Sequence, residues 1–83
     1  MGPITRDRRR HVERLVKGKG VATDPRLSYD AKLLYVAAGL CCDEVGRVTR
    51  EVIRQAMGDP YTRSIAMNIL TKYGCPPLGG GLS

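Results

Sequence analysis

Apolar residues recur at helical spacing in four stretches of the chain, and Gly or Pro stands at most of the breaks between them. The first stretch, 5–17, carries a narrow stripe of Val12, Leu15 and Val16 after Thr5, a side chain suited to an N-cap. Everything else in it is polar. Arg9 and Glu13 attract at i,i+4 spacing, whereas Arg10 and Arg14 repel. A helix this short is marginal alone in water, so it is expected to order only by docking on a core or a partner. Gly18-Lys19-Gly20 breaks the pattern, and 18–26 reads as a linker ending at Asp24-Pro25.

The second helix starts most clearly. Ser28 is the expected N-cap, with Asp30 in the electropositive first turn. Leu33, Leu34, Ala37, Leu40 and Cys41 make a wide buried face, and Tyr29, Tyr35, Val36 and Ala38 make the helix apolar nearly all round. Such a helix is central or carries an oligomer contact. Gly39 inside it costs helix stability relative to Ala, which implies a close crossing with another helix. A turn with Asp43, Glu44 and Gly46 follows, and Val48 is expected to pair as a very short strand.

The third helix is expected from Thr49, with Val52, Ile53, Ala56 and Met57 inward and Gly58 as a left-handed terminus. The fourth follows at once, with Asp59 as N-cap and Pro60 at the first helical position. Ile65, Ala66, Ile69, Leu70 and Tyr73 form its inward stripe, Gly74 ends it, and Pro76-Pro77 forbids continuation. The expected division is a basic helix and linker, 1–26, a helical domain, 27–74, and a flexible Gly/Pro-rich tail, 75–83.

Charge changes the picture next. The 83 residues carry a net +6. Residues 1–26 hold eight Lys/Arg against three acids, whereas 27–83 hold six against five. The excess is therefore local, and a local basic excess suits a polyanion, because each phosphate neutralised releases counterions. Length allows one domain. With one His, no Trp and no Phe, catalytic groups are few and an enzyme is not expected. The odd set Cys41, Cys42 and Cys75, without an apolar leader, points to free thiols in a reducing cytoplasm. No stretch approaches the roughly 20 apolar residues of a membrane span.

Helix, short helix, tight Gly-Asp-Pro turn, longer helix is the order of a tri-helical helix-turn-helix. Three segments carry a resemblance: 27–34 (Leu27-Ser28-Tyr29-Asp30-Ala31-Lys32-Leu33-Leu34), 48–53 (Val48-Thr49-Arg50-Glu51-Val52-Ile53) and 63–74, from Arg63 to Gly74. Through them the chain resembles the helical part of winged helix-turn-helix domains of bacterial and phage transcription regulators. The expected fold is thus all-α or mainly α, a tri-helical core of winged-helix type preceded by a basic helix. Two departures stand out. Arg54 occupies a position where the compact pattern has a small residue, and Ile65 comes one residue late, so a turn longer by one is expected. Only nine residues follow Gly74, so the wing is expected to be rudimentary or absent.

The resemblance implies a recognition helix at the fourth position. Opposite its inward stripe lie Tyr61, Ser64, Met67, Asn68 and Thr71, with Arg63 and Lys72 at the edges. Asn reads adenine, Arg reads guanine, and methyl groups touch thymine. Tyr61, Arg63, Ser64, Asn68 and Thr71 are the expected base contacts. Arg6, Arg8, Arg9, Arg10, Arg14, Arg47, Arg50, Arg54, Gln55 and Lys72 are the expected phosphate contacts. The expected partner is double-stranded DNA, bound by a homodimer or cooperative oligomer, since one small monomer makes few contacts. The near-neutral 27–83 region, the missing wing and the very apolar second helix also suit a module that binds a host protein, and that alternative stays open. His11 with the three cysteines lacks zinc-ligand spacing, and neither metal nor cofactor is expected.

Overall fold

The computed structural model describes residues 4–43 and 46–77 and is mainly α, with four helices and no strand among the described residues. They are α1 (Arg6–Lys19), α2 (Tyr29–Cys41), α3 (Arg50–Gly58) and α4 (Pro60–Lys72). Glu44 and the tail 78–83 lie outside the described residues.

Each helix begins on a side-chain cap. The hydroxyls of Thr5, Ser28 and Thr49 accept from the N–H groups of Arg8, Ala31 and Val52 at 3.1, 3.1 and 3.2 Å. Asp59 accepts from Tyr61 N–H at 3.3 Å. These bonds satisfy donors that a helix leaves without internal partners.

α1 is ordered by docking, with Val12 and Val16 each 1% exposed. It runs two residues past its expected end. Gly18 continues the helix, and Gly20, at φ +63°, is the residue that adopts the left-handed cap. The segment after it is not an open linker. A 3-10 turn at Val21–Thr23 buries Val21 and Ala22 in the same core as Val12 and Val16. Lys32 Nζ ties this turn to α2 by donating to the Ala22 carbonyl at 3.1 Å.

α2 is central and packs against α1, α3 and α4. Its core side is Leu33, Val36, Ala37 and Leu40. The crossing implied by Gly39 is with α1, where Val12 lies against the glycine. The expected strand at Val48 does not form. Val48 is 54% exposed, with no second strand among the described residues to complete a ladder.

α3 buries only Ala56 fully, while Val52, Ile53 and Met57 stay half-buried because the helix lies at the margin of the core. Two expectations about its end are corrected. Gly58 is helical and has no positive φ. The connection to α4 is not lengthened, since Asp59 alone separates the helices. Asp59 is the C-cap of α3 and the N-cap of α4 at once, and Pro60 has no N–H to leave unpaired.

α4 buries Ile65, Ala66, Ile69 and Leu70, together with Thr62, a polar residue 1% exposed. Thr62 is held by its hydroxyl, which donates to Asp59 Oδ2 at 2.6 Å and accepts from the Cys41 thiol at 3.7 Å. The helix closes in a Schellman motif. Gly74 N–H donates to the Thr71 carbonyl at 3.2 Å and Cys75 N–H to the Leu70 carbonyl at 2.8 Å, with Gly74 at φ +102°.

Candidate nucleic-acid interface

The inward stripe of α4 fixes its opposite face. Tyr61, Ser64, Asn68 and Thr71 are exposed there, Met67 is half-buried, and Arg63 and Lys72 stand at the two edges. Arg63, Ser64, Met67, Asn68 and Thr71 border a shallow groove of about 400 Å³, whose far wall is Leu33 of α2 and Pro77. Four of the five residues expected to read bases thus border this groove, and Tyr61 is exposed outside it.

The ten expected phosphate contacts divide into groups. Arg6, Arg10 and Arg14 recur every four residues on α1, exposed and opposite Val12 and Val16, and Lys17 extends the row by one turn. Lys17 was not among the expected contacts, although its spacing from Arg14 marks it. Arg47, Arg50 and Gln55 are exposed near or on α3.

Four others are engaged within the protein. Arg8 leaves the row: it is half-buried and donates to the Asp43 carbonyl at 2.7 Å. Arg9 donates from Nε to Glu13 Oε2 at 3.1 Å, as the i,i+4 spacing implies. Arg54 forms two bonds to the Glu51 carboxylate, at 2.8 and 2.5 Å. Lys72 donates to Glu13 Oε1 at 3.1 Å.

Glu13 thus joins α1 to the end of α4. Its Oε1 also accepts from the Tyr73 hydroxyl at 3.4 Å, and Lys72 Nζ lies 5.5 Å from the Tyr73 ring centroid. Burial alone would push the Glu13 carboxyl up, but the hydrogen bonds and charges of Lys72 and Arg9 outweigh it, so the group sits below the ordinary glutamate range. Local sequence marks only the Arg9 partner. The pairs with Lys72 and Tyr73 span 59 and 60 residues and leave no trace in periodicity. Their consequence is geometric: they hold Glu13, on the side of α1 adjoining the row, against the end of α4.

The three cysteines are free thiols. Cys42 donates to the Ala38 carbonyl at 3.2 Å, and burial pushes its thiol up against the opposing effect of Arg8. Cys75 accepts from Lys32 Nζ at 3.8 Å. Among the described residues no group of three or more His, Cys, Asp or Glu side chains is placed to hold a metal ion. No described helix is long and apolar enough to cross a membrane. No family model, curated protein or solved structure matches the chain.

Proposed function

We propose that this chain is a non-enzymatic, double-stranded DNA-binding protein with a helix-turn-helix core of winged-helix type, formed by α2, α3 and α4. In this reading the outward face of α4 enters the major groove and presents Ser64, Asn68 and Thr71 to base edges, with Tyr61 and Arg63 beside them. The Arg6, Arg10, Arg14 and Lys17 row rests on flanking phosphates as part of a docked helix rather than a free arm. Arg47, Arg50 and Gln55 lie where a second run of phosphates would pass.

The observation that carries the reading is the placement of α1. Four cations share its outward side, and Glu13 on the adjoining side fixes the helix beside the last turn of α4. The one-sided cation row of α1 and the exposed Ser/Asn/Thr face of α4 together support the reading. One monomer makes too few phosphate contacts for tight binding, so two copies on paired half-sites complete the proposal, as in phage or plasmid regulators acting in the bacterial cytoplasm.

The test is fluorescence anisotropy with a labelled mixed-sequence duplex at low salt, followed by selection from a random duplex pool. Saturable binding and enrichment of a common half-site support the proposal. Failure to bind duplex at low salt contradicts it.

A further inference from the structure

A second surface lies apart from the α4 face. A cleft of about 430 Å³ opens between α1, α2 and α3, and no residue of α4 lines it. Its floor is α2, where Ala31, Ala38 and Gly39 have too little side chain to fill it. Leu15 and Ile53 form the facing walls, and Tyr35 and Val48 stand at the lip, 39% and 54% exposed. The volume is that of a small-ligand pocket, in the range of roughly 300–1,000 Å³.

The polar groups at its edge are unequal in charge. Among the described residues that line it none is acidic, whereas Arg8 and His11 are both basic. Among the described residues the Arg8 side chain makes one hydrogen bond, to the Asp43 carbonyl at 2.7 Å, which uses one of the five N–H donors of a guanidinium. The other four donors have no protein partner among the described residues. Arg8 also lies on the side of α1 away from the exposed row, so phosphate binding gives no reason for its position.

We infer that this cleft binds a small monocarboxylic acid with an apolar body, its carboxylate against Arg8 and its hydrocarbon along the small residues of α2. A charged hydrogen bond at the edge and apolar burial on the floor are the two contributions such a molecule needs. The inference is independent of the DNA reading, because no interface residue of α4 is involved and the test contains no DNA.

The experiment is a fluorescence titration with 8-anilinonaphthalene-1-sulfonate, an apolar anion, displaced in turn by decanoate and by decanol. Expected are saturable one-site binding and displacement by decanoate at about a tenfold lower concentration than by decanol. Arg8→Gln should erase that preference while decanol still displaces the dye. Val48→Glu, at an exposed position where folding is not at risk, should weaken decanoate and spare decanol. Ala31→Phe should abolish dye binding by filling the floor. The inference is overturned by dye emission that does not saturate, or by a decanoate preference unchanged in Arg8→Gln and Val48→Glu. It is overturned too if sedimentation shows that decanoate acts by dissociating two copies joined through the cleft.

Discussion

Gly39 of α2 and Val12 of α1 meet where the two helices cross, and a Cβ on Gly39 would stand 3.2 Å from Val12 Cγ2. Val12 is fully buried and β-branched, so it has little rotamer freedom with which to withdraw. Gly39→Ala gains about 1 kcal/mol of helix propensity. Overpacking against Val12 costs about 1–3 kcal/mol, so a net loss is expected. In a Val12→Ala background the same substitution should become stabilising. Urea unfolding of the four proteins of this double-mutant cycle reads the coupling, and additivity would contradict the crossing geometry.

The Asp59–Thr62 pair offers a second check. Thr62 donates a 2.6 Å hydrogen bond to the Asp59 carboxylate, which together with backbone donors holds that carboxyl below the ordinary aspartate range. A carboxyl lowered by folding stabilises the folded state fully above its unfolded pKa of about 3.9 and loses that effect as pH falls through the lower folded value. Thr62→Val keeps the shape and removes the bond. It should lower the melting temperature at neutral pH, and the difference from wild type should shrink as pH falls below the unfolded value and Asp59 takes up a proton. A difference constant with pH would show that packing, not the bond, is what Thr62 supplies.

How much of this was legible in the sequence differs from residue to residue. Thr5, Ser28, Thr49 and Asp59 could be read as caps because capping is local chemistry at fixed spacing. Gly39 could be read as a crossing because a glycine inside an apolar helix has a cost that must be offset. Gly18 and Gly20 could not be told apart, since both sit at the end of a helical pattern and only the turn beyond selects which becomes left-handed. Val21 and Ala22 looked like linker because two apolar residues carry no periodicity. In the candidate interface, the α4 face followed from 100° per residue, whereas the inward turn of Arg8 and the long-range partners of Glu13 depend on tertiary packing. Thr62 was missed because its burial needs Asp59 and Cys41 beside it, one three residues back in sequence and one on another helix.

Glu13 pairs its one negative charge with two cations, Arg9 and Lys72. Glu13→Gln should weaken the link between α1 and α4 by less than about 1 kcal/mol, since its cationic partners are solvent-exposed. It should also release Lys72 and Arg9 toward a polyanion. The expected result is tighter DNA binding with a salt dependence steeper by about one to two. Weaker binding would mean that holding α1 in place matters more than the released charge.

Base reading and phosphate contact should separate by mutation. Asn68→Ala should cost about 1–3 kcal/mol on the preferred duplex, little on a mixed one, and leave the salt slope unchanged. Arg50→Gln should weaken both duplexes alike and reduce the slope by about one. Competition binding with the two duplexes distinguishes these patterns, and an Asn68→Ala loss equal on both would remove Asn68 from base reading.

Deleting the N-terminal segment would not isolate its charge, because Val12, Val16, Val21 and Ala22 belong to the core. The direct measurement is the salt dependence of duplex binding for the intact chain and for Arg6→Gln/Arg10→Gln/Arg14→Gln/Lys17→Gln, with circular dichroism confirming an unchanged fold. If the α1 row lies on phosphates, the slope of log K against log salt should fall in magnitude by about three to four, and low-salt affinity should fall with it. An unchanged slope and affinity would contradict the account and remove α1 from the DNA interface.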